Sequence, residues 1–110
     1  MADAEGFPFC GSVIWLTPEQ GGRGTGPPVP LLSWPYYAAT AFVPPHTAET
    51  NLASFVLRGF DARAWRSRVE GRWLAAGTQR DQDVESGSVI AVTEGAQIVA
   101  YFTVQHIACL

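Results

Sequence analysis

Glycine and proline punctuate this chain too densely for a helical bundle. Eleven Gly and eight Pro fill 19 of its 110 positions, and neither residue suits a helix interior. Such punctuation fits short strands joined by turns. Hydrophobic residues make up 47% of the chain and charged residues 15%, so one small domain has the apolar surface for a packed core. The expected organisation is a single domain over residues 1–110, with residues 1–8 fraying at the start.

The apolar runs fall between these breaks. Val13-Ile14-Trp15-Leu16, bounded by Gly11-Ser12 and Thr17-Pro18, reads as a buried strand. Residues 17–30 hold four Gly and four Pro with little to bury, which predicts a long loop. Leu31 to Val43 is aromatic and Ala-rich, and Pro35 marks its first part as an edge or a strand start. Pro44-Pro45-His46 ends that run. Phe55-Val56-Leu57 is the centre of another strand, stopped by Gly59. Asp81, Asp83 and Glu85, with Gln79 and Gln82, predict a polar turn. Ser88 to Val92 and Ile98 to Ile107 are both strand-like, and Thr93 to Gln97 joins them with a Gly-containing link of hairpin length.

Residues 65–73 carry two patterns. A period of two puts Trp65, Ser67, Val69, Gly71 and Trp73 on one face and Arg66, Arg68, Glu70 and Arg72 on the other. A helix would instead use Asp61 as N-cap, align Trp65, Val69 and Trp73, and stop at Gly77. Gly71 would cost that helix about 1 kcal/mol against Ala. The strand is the stronger reading, with a helical turn open at 61–65. Five or six strands and no internal repeat predict a small all-β barrel or sandwich.

Net charge is −3 and the pI about 5.2, the wrong sign for a protein built to sit on phosphate backbones. All seven basic residues are Arg, which binds by planar forks where Lys offers a mobile point charge. The acidic opening Met1-Ala-Asp-Ala-Glu is no secretory leader, and no apolar run has the length of a membrane span. A cytoplasmic location without membrane association is the expectation. Two free, half-buried thiols at Cys10 and Cys109 follow from it, a disulfide between the chain ends being the alternative. With His46 and His106 scattered, no metal-ligand spacing arises, and no cofactor is expected.

Two segments at opposite ends of the chain resemble one family. Val13-x-x-Leu16-x-x-Glu19-Gln20-Gly21-Gly22-Arg23 resembles the first strand and following loop of the C-terminal (third) β-barrel domain of elongation factor Tu. Val84-Glu85-x-Gly87-x-x-Ile90-Ala91-Val92-x-Glu94-Gly95-x-x-x-Val99-Ala100 resembles the last hairpin of that domain. Trp34-Pro35-Tyr36-Tyr37 looks like its aromatic strand. Together these cover about a third of the chain, without gaps and in the family's order. The resemblance implies a six-stranded antiparallel closed barrel, standing alone as a single-domain protein. It departs from the family pattern over Gly59 to Trp65 and after Arg23, where Gly24-Thr25-Gly26-Pro27-Pro28 follows.

Catalytic equipment is sparse. No phosphate-loop motif exists, and a chain without Lys cannot supply its lysine. Gly21 to Gly26 lacks the following helix that would complete a phosphate cradle; the plainer reading is a flexible loop that Arg23 pins to the barrel. Neither two His nor two Cys compose a nucleophile–base–orienter set. The resemblance implies an RNA role as well, because the family domain helps hold the T stem of aminoacyl-tRNA. Glu94 corresponds to the family's hairpin Glu, which accepts from a guanine edge, while Tyr36 replaces the family's Gln. An ordinary hairpin-turn carboxylate is the simpler role for Glu94.

One charge anomaly remains. Residues 58–80 hold Arg58, Arg63, Arg66, Arg68, Arg72 and Arg80 against Asp61 and Glu70, a local +4. A solvated strand face and an Arg/Trp patch for an acidic partner explain it equally well. The expectation is a non-catalytic binding module for a protein partner or for another copy of itself, with structured RNA, or a small-ligand or enzymatic role at an unrecognised site, as alternatives. The partner-binding candidates are Arg23, Trp34, Tyr36, Arg66, Arg68, Arg72 and Glu94.

Overall fold

Alternation shapes part of the architecture: over 9–15 and 66–73 burial recurs at every second position, whereas 55–57 and 90–93 are buried at consecutive positions, and the sheet closes around these side chains. The computed structural model describes residues 6–49, 52–75 and 84–107. Its strands are β1 (Phe9–Trp15), β2 (Tyr36–Phe42), β3 (Ala53–Arg58), β4 (Arg66–Trp73), β5 (Val89–Glu94) and β6 (Gln97–Ile107). They form a closed barrel in the order β1-β4-β3-β2-β5-β6, every pairing antiparallel. Closure leaves the first and last strands paired with each other, so the long edges of an open sheet disappear.

Residues 66–73 are strand, as the alternation indicated. Ser67, Val69, Gly71 and Trp73 turn inward while Arg66 and Arg68 face solvent. Trp65 departs from that pattern: it precedes the strand and is 45% exposed. Its carbonyl accepts from the Trp15 N–H at 2.8 Å, and its indole lies beside Gly26 of the long loop. The strand period does not extend through the bend that Gly59 and Arg63 create with their positive φ angles.

Glycine at two inward positions sets the barrel's cross-section. A Cβ on Gly71 would stand 2.6 Å from Phe55 Cζ and 3.0 Å from Phe102 Cε2. The missing side chain is therefore the seat of the Phe55 ring. Phe55 in turn meets Trp73 edge-on at 4.8 Å, Phe102 at 5.7 Å and Phe9 at 6.3 Å. A Cβ on Gly11 would reach within 1.9 Å of the Thr103 carbonyl oxygen, beside the register shift between Cys10 and Gly11. Gly11 thus lies inside β1 and does not precede it. In a strand, glycine marks a close backbone approach as readily as an end.

Other boundaries move in the same way. β2 begins at Tyr36, after Pro35, and residues 31–35 stay exposed outside it. At the start of the chain, Phe7 is buried, stacked on Tyr36 at 5.9 Å with Arg58 Cζ 4.1 Å above its ring, which departs from the fraying expected over residues 1–8. Cys10 is disulfide-bonded, contrary to the expected free thiol. The one other cysteine, Cys109, lies outside the described residues, as do Arg80 and most of the polar turn expected over 79–85. No described helix is long and apolar enough to cross a membrane.

Candidate functional site

At one rim of the barrel, the Glu-Gln-Gly-Gly-Arg segment is folded back by local chemistry. Thr17 caps a single 3-10 turn over Pro18–Gln20, its hydroxyl accepting from the Gln20 N–H while the Gln20 side chain accepts from the Thr17 N–H. Gly21 then takes φ +92°. At Gly22 a Cβ would fall 2.1 Å from the Leu16 carbonyl oxygen, so the chain can double back only with glycine there. Gln97, at the start of β6, donates its amide to the carbonyls of Gly21 and Gly22, the latter at 2.7 Å.

Arg23 completes this latch. Its Nη1 donates to the Gly26 carbonyl at 2.9 Å, and its Nε lies 3.0 Å from Glu94 Oε2. That Nε–H is not aligned for a hydrogen bond, so the contact with Glu94 is an ion pair held by charge. The same Oε2 accepts from the Tyr37 hydroxyl. Tyr37 is buried against the edge of Trp15 at 5.0 Å. Burial first, then the hydrogen bond to Glu94 and the Glu94 charge, push the phenol's pKa well above its ordinary value, against a downward pull from Arg23. Thus the loop after β1 and the β5–β6 hairpin meet here, Arg23 on Glu94 and Gly21-Gly22 on Gln97.

The seven candidate residues separate into three groups. Arg23 and Glu94 belong to the latch, where the Glu94 carboxylate is shared by Tyr37 and Arg23 and two of the three Arg23 guanidinium nitrogens are engaged. Tyr36 and Arg72 converge on Phe7, Arg72 Cζ lying 5.8 Å from its ring, and Trp34 meets Tyr36 edge-on at 5.2 Å. Beside them Arg58 pairs with Glu70 at 2.6 Å. Arg66 and Arg68 form the third group. Both are exposed on the outer face of β4 and make no ion pair or side-chain hydrogen bond with the described residues. Across β1 they face Ile14 and Ser12, and beyond these lie Tyr101 and Thr103 of β6. Ile14 is 41% and Tyr101 37% exposed.

Sequence reasoning passed over Tyr37, Gln97 and Phe7, whose roles depend on partners far along the chain. It also had no signal for Arg63, which takes φ +61°, or for a cleft of about 530 Å³ where Pro27, Pro28 and Val29 face Arg23, Arg63 and Trp65. No cluster of three metal-ligating side chains occurs among the described residues. The chain matches no family model, and no curated protein matches it.

Proposed function

We propose that this chain is a non-catalytic barrel of the kind that forms the third domain of elongation factor Tu, and that it binds an acidic protein surface through the outer face of β4 and β1. The carrying observation is the unpaired state of Arg66 and Arg68 beside exposed Ile14 and Tyr101. Arginine flanked by aromatic and aliphatic surface is the composition of interface hot spots. Two other arginines are occupied, Arg58 by Glu70 and Arg23 by Glu94. Glu94 serves the latch, which favours the protein reading over the guanine contact that the resemblance implied. The contact between the two resembling segments supports the kinship with the translation-factor barrel. The Cys10 disulfide weighs against the expected cytoplasmic placement, because such bonds persist in oxidising compartments.

The test is affinity capture from nuclease-treated host extract, comparing the natural chain with an Arg66→Glu/Arg68→Glu variant of equal thermal stability. An acidic partner retained by the first, lost by the second and released by salt supports the reading. Retention that nuclease abolishes transfers the site to RNA. Equal retention by both chains, or none by either in a sedimenting monomer, rejects it.

A further inference from the structure

Away from the β4 face, the long Gly/Pro loop and the bend before β4 enclose a cleft that neither segment forms alone. Its walls carry two guanidinium groups and an indole: Arg23, Arg63 and Trp65, with Thr25, Gly26 and Pro27 opposite. We infer that this cleft binds a small organic anion, a flat ring bearing a carboxylate or phosphate group. The inference needs no protein partner and is independent of the surface proposed above.

Three observations carry it. Arg23 is held in place from behind, through Nη1 on the Gly26 carbonyl and Nε on Glu94, and its Nη2 has no partner among the described residues. With two of its three nitrogens engaged, the guanidinium is held in position and presents Nη2 as a single charged donor to an oxyanion. Arg63 supplies a second positive charge with no side-chain partner among the described residues, and it does so from a left-handed backbone, φ +61°, that glycine would occupy with less strain. A strained non-glycine residue lining a cavity points to a use for its side chain. Trp65 contributes a half-exposed indole, with the position of a Gly26 Cβ 3.7 Å from its Cη2, so loop and ring are in van der Waals reach and one face of the cleft is apolar. The cleft holds about 530 Å³, within the usual range for small-molecule sites.

The experiment is a titration of the full-length, disulfide-intact chain with phenyl phosphate, followed by the amide signals of Gly26 and Arg63 and the Trp65 indole N–H in nuclear magnetic resonance spectra. Saturable shifts at these three groups, with a midpoint on the order of 1 mM, are expected for a ligand of this size. Benzoate should compete, benzyl alcohol should not, and inorganic phosphate should bind more weakly than phenyl phosphate. Arg63→Ala should weaken binding by about tenfold, the loss of one charge-assisted contact. Arg63→Gly relieves the backbone while removing the charge, so a variant that melts no lower yet binds as poorly as Arg63→Ala ties the loss to the guanidinium. Undiminished binding by either variant, equal shifts from benzyl alcohol, or no saturable shift at these groups overturns the assignment.

Discussion

The phenol of Tyr37 donates to the carboxylate of Glu94 across 57 positions of chain, joining the inside of β2 to the tip of the β5–β6 hairpin. Arg23 meets the same carboxylate oxygen, so three distant segments share one charge. A hydrogen bond to a charged group contributes about 1.5–3 kcal/mol net. Tyr37→Phe should lower unfolding free energy by about 1.5–2 kcal/mol, the lower part of that range because Glu94 keeps solvent contact and Arg23. A double-mutant cycle with Glu94→Gln, read by urea unfolding, should return a coupling of at least about 0.5 kcal/mol. Additive losses would show that the two side chains are merely adjacent.

The same phenol makes the barrel sensitive to alkali. Tyr37 holds its proton far above the ordinary tyrosine value of 10.0, chiefly because it is buried and next because of Glu94. A group whose folded pKa is raised contributes stability that is complete below the unfolded pKa and diminishes as pH rises beyond it. Urea midpoints should therefore hold up to about pH 9 and decline above about pH 10. Tyr37→Phe should decline less steeply over that interval. Parallel decline in both chains would place the sensitivity elsewhere.

Glycine 71 exists to seat Phe55. Gly71→Ala puts a methyl group 2.6 Å from the ring, an overpacking that costs about 1–3 kcal/mol. Shortening the intruded side chain should restore part of the loss, so Gly71→Ala/Phe55→Leu should be more stable than the sum of its single changes allows. Gly11→Ala should be worse than Gly71→Ala. Its methyl meets a backbone oxygen, Thr103 O at 1.9 Å, and a ladder carbonyl cannot rotate aside as a ring can.

Local pattern carried much of the architecture. The alternation of Ser67, Val69, Gly71 and Trp73 against Arg66 and Arg68 is enough to place β4, because burial repeats every second residue in a half-buried strand. It was silent on where the strand starts, which the Trp15–Trp65 backbone bond decides, so Trp65 appeared to face the core. Gly11 looked like a boundary because a bulge and a strand end favour the same residue. The candidate residues were recognisable by type, but their grouping was not. Arg72 and Arg66 share a strand face, but Phe7, from the lead-in, lies beside Arg72 alone, and Arg72 Nε also donates to the Trp73 carbonyl. The cleft joins Pro27 to Arg63 through a loop and a bend with no periodic signal.

Reduction should weaken the fold. Cys10 sits in β1 opposite Glu70 and His106 and is disulfide-bonded. A cross-link between distant positions destabilises the unfolded chain, typically by about 2–4 kcal/mol relative to the folded one. Thiol titration of the native, unreduced protein should find no reactive cysteine. Adding reductant, or changing Cys10→Ser, should lower the melting temperature by several degrees. Unchanged melting with two titratable thiols would return both cysteines to the free state that the sequence suggested.

Arg63 offers a stability gain at the expense of the cleft. Its φ of +61° is the left-handed conformation, which costs a residue with a Cβ about 1–2 kcal/mol. Arg63→Gly removes that strain but adds freedom to the unfolded chain, a cost of about 0.4–1 kcal/mol. No described side-chain partner is lost, so the net change should be a gain of up to about 1 kcal/mol by urea unfolding. Arg63→Ala keeps the Cβ and the strain, and should leave stability within about 0.5 kcal/mol of the natural chain. A gain from glycine and none from alanine would show that the backbone is strained and the guanidinium supplies no stability in return. Destabilisation by both would mean that the Arg63 side chain holds the bend before β4 in place.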